Sequence, residues 1–298
     1  MEFDLENPLA DSDHFSPSLF LLESDHMPSH NYTRSLNAGD LHIVSVRKEA
    51  IASISHFSGE FGPFLLYLAV NYLDRFLSSR QILMLLLQQH KTWIVRLVAC
   101  SCVSLAAKMM KTEFSLTHFQ GNAGFVFDAQ TIERMEYLIL GALKWRMRSV
   151  TPFSFVSFFI PLFELKDPPL TQALEARAVE IISKSQIDTK LFEFKASIIA
   201  ASALLFSSHE LFPLQFPCFR KAICSCSYIN KENLLKCYNS MQEMEEEDDR
   251  SMFDVVPSSS SLVDVLEQQF SSSESEITTT NGVDITGRTE RHIKRRRN

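Results

Sequence analysis

Two stretches of the chain are apolar yet built almost wholly from small side chains. They are Ala99-Cys100-Ser101-Cys102-Val103-Ser104-Leu105-Ala106-Ala107 and Lys195-Ala196-Ser197-Ile198-Ile199-Ala200-Ala201-Ser202-Ala203-Leu204. Such a run suits the central helix of a bundle, because small residues let neighbouring helices approach closely. The two lie roughly 100 residues apart, a repeat spacing that predicts a duplicated helical unit. Glycine supplies the positive-φ positions that tight turns and hairpins need. Only 8 glycines against 24 phenylalanines therefore argue for long elements and an all-α fold.

The flanking segments supply the remaining helices. In the first half the periodicity predicts helices over Val46 to Phe57, Phe64 to Leu77 and Trp93 to Met110, and an ill-defined fourth segment around Phe114 to Gly121. Phe64 to Leu77 is apolar on nearly every side, with Asn71, Asp74 and Arg75 as its polar exceptions, as a helix enclosed by others should be. A fifth helix opens after the N-cap Asp128 and runs to Trp145. Ile132, Met135, Ile139 and Ala142 or Leu143 give it a core face, which leaves Glu133, Glu136 and Tyr137 on the other. Thr151 as N-cap and Pro152 at the first helical position then restart the pattern. The second set covers Pro152 to Phe163, Leu170 to Gln186, Phe194 to Ser207, Phe216 to Cys226 and Asn233 to Met241. The expected architecture is two five-helix domains in tandem, residues 41–149 and 150–242, between disordered ends.

Residues 1–40 are rich in Asp, Ser, His and Pro without a sustained helical period, and read as a flexible lead-in. Residues 243–298 begin with the acidic run Glu243 to Asp249, continue rich in Ser and Thr, and end in Lys294, Arg295, Arg296 and Arg297. Low hydrophobicity leaves little to offset the entropy of ordering them, so a disordered tail is expected. Its basic end fits a nuclear import signal, with a merely solvated charged terminus as the alternative.

Composition excludes several functions. A formal charge of -7 is a poor match for a phosphate backbone, so direct nucleic-acid binding is disfavoured. Met1 to Asp13 carries five acids and no base, so no secretory signal is expected. The longest purely aliphatic run, Ile82 to Leu87, falls far short of the roughly 20 residues of a membrane span. The six cysteines lack the C-x2-C spacing of zinc sites and read as buried reduced thiols. No Gly-rich phosphate loop, Gly-x-Ser-x-Gly or His-Glu-x-x-His occurs, so no enzyme, cofactor or metal is expected.

Against that background one set of motifs is specific. Leu68-Ala69-Val70-Asn71-Tyr72-Leu73-Asp74-Arg75-Phe76-Leu77 resembles the second helix of the cyclin box, and Ser104-Leu105-Ala106-Ala107-Lys108 the end of the third. Ile132-Glu133-Arg134-Met135-Glu136 through Trp145-Arg146-Met147 resembles the fifth. Ser149-Val150-Thr151-Pro152-Phe153 is similar to the hinge between the two boxes of plant D-type cyclins, subgroup six above all. The resemblance runs from about Val46 to about Met241.

The resemblance implies two cyclin boxes and a regulatory subunit that binds and activates a cyclin-dependent kinase, promotes G1/S progression and cell division, and works in the nucleus, with the cytoplasm as a further location. Kinase inhibitor proteins are implied as further partners. Lys108 and Glu136 match the family's paired contacts to the kinase backbone, with Leu105, Met109 and Trp145 around them. Without the resemblance, Lys108 reads as a helix C-terminal lysine complementing the dipole and Glu136 as part of a solvated face.

The chain also departs from the family. The substrate-docking patch of the first helix aligns with Val46, Arg47, Glu49 and Ser53, where Arg47 matches but Glu49 and Ser53 erode the patch. Met109-Met110-Lys111 stands where acids are common, and Arg80 to Gln89 replaces a shorter polar linker. The Leu-x-Cys-x-Glu motif for retinoblastoma-type proteins is absent, since no cysteine precedes Cys100 and Leu235-Lys236-Cys237-Tyr238-Asn239 lacks the final acid. The rival readings are a cyclin-fold transcription factor, which would need a basic face, and a helical scaffold without kinase activation.

Overall fold

The computed structural model describes residues 17–56, 61–79, 92–112 and 127–253. Among these residues lie eleven α-helices and no strand. A first group comprises α1 Leu19–Leu22, α2 His30–Asn37, α3 Leu41–Ser55, α4 Pro63–Leu77, α5 Thr92–Met109 and α6 Ala129–Ala142. The second comprises α7 Phe153–Phe159, α8 Pro168–Ser185, α9 Ala196–Leu211, α10 Phe216–Ser225 and α11 Lys231–Phe253. Short 3-10 turns cover Glu23–His26, Ile160–Phe163 and Thr189–Glu193. Both bundles belong to one compact unit that ends at Asp248.

The two small-residue helices are the hubs. α5 is buried without interruption from Leu97 to Ala107 and packs against α3, α4 and α6. By length and composition alone α5 could cross a membrane, but its apolar surface is covered by these neighbours. α9 is buried from Ala196 to Ser208, between α7, α8 and α10. Its hydroxyls stay satisfied inside the core: Ser207 Oγ donates to the Ala203 carbonyl and Ser208 Oγ to that of Leu205, both at 2.8 Å. The fourth segment of the first bundle, Phe114 to Gly121, lies outside the described residues, as do Arg80 to Gln89 and Lys294 to Arg297.

Residues 17–40 depart from the expected flexible lead-in. The Ser29 side chain caps α2 by accepting the Tyr32 amide, and Asp40 caps α3 by accepting those of His42 and Ile43. Between them Gly39, at φ +74, ends α2: its amide bonds the Leu36 carbonyl and the Asp40 amide that of Ser35, the paired closure a left-handed residue permits. Phe20, Glu23, Tyr32 and Leu36 are all buried. The segment is ordered by contacts with both bundles, which periodicity within the segment does not register.

Two further expectations change. Thr151 does not cap α7 with its side chain; its buried amide donates to Ser154 Oγ at 3.1 Å instead. The acidic run from Glu243 is the continuation of α11, not the start of the tail. Glu245 meets Arg177 at 2.8 Å and Lys184 at 3.1 Å, and Glu243 meets Lys190 at 3.5 Å, so cations along and beyond α8 hold it. Of the cysteines, Cys100, Cys102 and Cys237 are buried as expected, Cys224 and Cys226 are half-buried, and Cys218 is exposed.

α4 ties the bundles together. Its Tyr67 and Phe64 rings meet Phe153 edge-on at 5.1 and 4.7 Å, and its Tyr72 hydroxyl donates to the Met147 carbonyl. Arg75 donates to Ser149 Oγ at 2.8 Å and to the Arg146 carbonyl at 3.0 Å. The centre of the junction is Arg47. It grips both oxygens of Asp74 at 2.9 and 3.1 Å, donates to the Gln186 and Ile187 carbonyls, and lies over the Phe192 ring. Tyr32 completes the network by donating to Asp74 at 2.9 Å.

Candidate partner-binding groove

The site expected around Lys108 and Glu136 forms where α5 ends beside α6. Asp128 starts α6 as expected, its two oxygens accepting the Thr131 amide at 2.6 Å and the Thr131 hydroxyl at 2.9 Å. Those bonds hold the exposed carboxyl below its usual range. From there Ile132, Glu136, Ile139 and Leu143 follow one another on the buried side. That order corrects the solvated face: Glu136 lies in the core stripe at helical spacing, whereas Met135 is only half-buried.

Glu136 Oε2 pairs with Lys108 Nζ at 2.5 Å. The pair is lopsided, with the Lys108 side chain 60% exposed and that of Glu136 only 6%. Glu136 Oε1 is buried with no hydrogen-bond partner among the described residues. The carboxylate reaches far enough into the bundle that, after burial itself, it helps push the Cys100 thiol up to about 12.

The pair sits in an open groove of about 490 Å³, with Leu105, Ile132, Leu140, Tyr137 and Trp145 among its lining. Trp145 stands 67% exposed on the rim, and Tyr137 and the following Leu138 on α6 are also exposed. The turns closing α5 and α6 share one hydrogen-bond pattern. Thr112 N–H bonds the Ala107 carbonyl and Lys111 N–H that of Lys108; Trp145 N–H bonds that of Leu140 and Lys144 N–H that of Gly141. Lys111, Lys144 and Trp145 all take positive φ there, of 50, 53 and 60 degrees. A left-handed lysine is uncommon, and two such residues in succession turn the indole outward.

The structure thus brings Lys108, Glu136, Leu105 and Trp145 together. It does not bring in Met109, which is half-buried against the first core. Tyr137 and Leu140 line the groove without having been singled out; their spacing from Ile132 and Glu136 along α6 is the signal that would have found them.

The four residues aligned with the eroded docking patch are engaged within the chain. Arg47 is buried at the bundle junction and presents nothing to solvent. Val46 is half-buried against the first core, Glu49 faces Arg96 at 3.7 Å, and Ser53 Oγ donates to the Glu49 carbonyl at 2.9 Å. A charged pair occupies the place of an apolar dock.

Comparison with known proteins identifies the family. Residues 17–148 match the family model "Cyclin, N-terminal domain" and residues 150–274 match "Cyclin, C-terminal domain". The chain is 49% identical to a protein designated cyclin-D6-1 of Arabidopsis thaliana over 93% of each chain. It is 38% identical to cyclin-D6-1 of Oryza sativa over 79% of this chain and 72% of that one. A viral cyclin from herpesvirus saimiri shares the fold, with a TM-score of 0.54 and 18% identity over 67% of this chain and 86% of its own. The chain belongs to the cyclins, a family of regulatory subunits, and within them to the D type of plants.

Proposed function

We propose that the chain binds and activates a cyclin-dependent Ser/Thr protein kinase and thereby promotes the G1/S transition and cell division. One observation carries this reading: Lys108 and Glu136 stand together in an apolar, aromatic-rimmed groove, with one Glu136 oxygen unpartnered among the described residues. An unpaired buried acceptor is costly unless a partner supplies the donor. Free backbone N–H groups are concentrated in the first turn of a helix, and the carbonyls just before it suit the several donors of a lysine ammonium. The pair is therefore fitted to hold the main chain leading into a partner helix, with Leu105, Leu140 and Trp145 burying the flanks. In a kinase, pressing the C helix inward assembles the Lys–Glu ion pair and the metal site. All the chemistry is the kinase's; the cyclin supplies position.

Co-purification with a panel of cyclin-dependent kinases, followed by a phosphotransfer assay, tests the proposal. Lys108→Ala and Glu136→Ala are each expected to weaken binding by about 1.5–3 kcal/mol, the range for a hydrogen bond to a charged group. Unchanged affinity in both variants would favour a cyclin-fold scaffold or transcription protein, the second of which a salt-sensitive shift of duplex DNA would support. Kinase inhibitor proteins are proposed as further partners, and docking of a retinoblastoma-type protein through Leu-x-Cys-x-Glu is not. Nuclear residence is proposed on Lys294, Arg295, Arg296 and Arg297, whose replacement by alanine should move a fluorescent fusion toward the cytoplasm.

A further inference from the structure

Two side chains from the N-terminal segment are seated in the second bundle. The Phe20 ring stacks on Tyr228 with centroids 4.4 Å apart and planes 7° apart. It also meets Phe155 at 4.9 Å and Phe158 at 5.3 Å. Three residues on, the Glu23 carboxylate is only 2% exposed. It accepts the Ser197 amide at 2.9 Å and the Ser197 hydroxyl at 3.1 Å, with Lys195 Nζ at 3.5 Å. Ser197 lies in the first turn of α9, where amides have no partner within the helix and a negative charge is favoured. Between the two anchors Leu21 is 82% exposed and Leu22 also faces solvent. The segment is thus read through one aromatic ring and one carboxylate on a single helical face.

We propose that this surface of the second bundle is a receptor site for short helical peptides carrying an aromatic residue and an acid three positions later, and that Phe20 and Glu23 fill it in cis. The receiving side is part of the folded core: Phe155 and Phe159 are fully buried there, and α9 is its hub. The occupant has other ties to the first bundle, from Asp25 to Arg146 at 2.9 Å and from the His26 carbonyl to Asn71 Nδ2 at 3.2 Å. A tethered ligand of this kind acts at an effective concentration on the order of millimolar. It keeps the site closed to weak external peptides and yields to a peptide of the same pattern that binds better.

The test uses the full chain and a labelled peptide of residues 17–29, followed by fluorescence anisotropy. The Phe20→Ala/Glu23→Ala double variant should bind the peptide saturably, at least tenfold more tightly than the wild type does. A peptide in which Phe20 is replaced by alanine, or Glu23 by glutamine, should lose at least tenfold. Absence of binding by the folded double variant, or equal binding of the altered peptides, overturns the proposal. Should the double variant lack the wild-type circular dichroism spectrum, hydrogen exchange in the single variant Glu23→Gln decides. Exchange at the Ser197 amide should then be at least tenfold faster than in wild type, and an unchanged rate overturns the proposal.

Discussion

Replacing Arg47 by methionine separates the two roles that its position permits. As a docking residue on the surface, Arg47 would contribute to binding and little to stability. In the structure it makes four hydrogen bonds, two to Asp74 and one each to the Gln186 and Ile187 carbonyls, and its side chain is 5% exposed. Arg47→Met leaves the Asp74 carboxylate buried with the Tyr32 hydroxyl, and strips the donor from both carbonyls of the second bundle. Breaking a buried ion pair by removing one partner costs about 3–5 kcal/mol. In a unit of this size 1 kcal/mol moves the midpoint by about 2–4 °C, so a fall of roughly 6–20 °C is expected. Thermal and urea unfolding would measure it, with Asp74→Leu and Arg47→Met/Asp74→Leu completing a double-mutant cycle. The double variant should lose less than the two single losses added, because no buried charge is left without its counterion. A loss below about 1 kcal/mol in Arg47→Met, or strict additivity in the cycle, would refute the reasoning.

Two other perturbations follow from the same geometry. Burial first, and then the charge of Arg75, lower the pKa of His26 to about 4. The unfolded chain takes up this proton near pH 6.5 while the folded chain refuses it until about pH 4, so stability is full above 6.5 and falls as pH drops toward 4. His26→Gln should lose less of its melting temperature between pH 7 and pH 5 than wild type does; equal losses would remove His26 from the account. Lys144, held at φ 53, should tolerate glycine with a gain of up to about 1 kcal/mol, since a left-handed conformation costs an L-residue roughly 1–2 kcal/mol and the looser unfolded chain returns part of it. A urea midpoint that stays put or falls in Lys144→Gly would show that this turn carries no strain.

What the sequence made legible was whatever repeats locally. The small-residue hubs of α5 and α9 could be read because close helix contact demands small side chains, and the helix starts could be read from Asp128 and the Pro152 restart. The ordering of residues 17–40 could not, because it depends on partners far along the chain: Glu23 bonds a residue 174 positions away, and Arg47 bonds carbonyls 139 and 140 positions away. Taken alone, Phe20 and Glu23 are an apolar and an acidic residue in a polar stretch. The acidic run beyond Met241 misled for the same reason, since Arg177 and Lys184 on α8 are what turn it from a repelling cluster into a docked helix.

Glu136 is the instructive case, because its place was written in the spacing and hidden by its residue type. Ile132, Glu136, Ile139 and Leu143 trace one face of α6, and a carboxylate in that stripe is disfavoured by burial unless something holds it. Lys108 satisfies one oxygen, and the other lies buried without a donor among the described residues. A leucine there would satisfy the core better and would leave nothing to accept a hydrogen bond from outside. The arrangement is therefore poor as core packing and good as half of an interface. On the function proposed above, helical spacing that calls for an apolar residue and finds a carboxylate marks the partner-binding site.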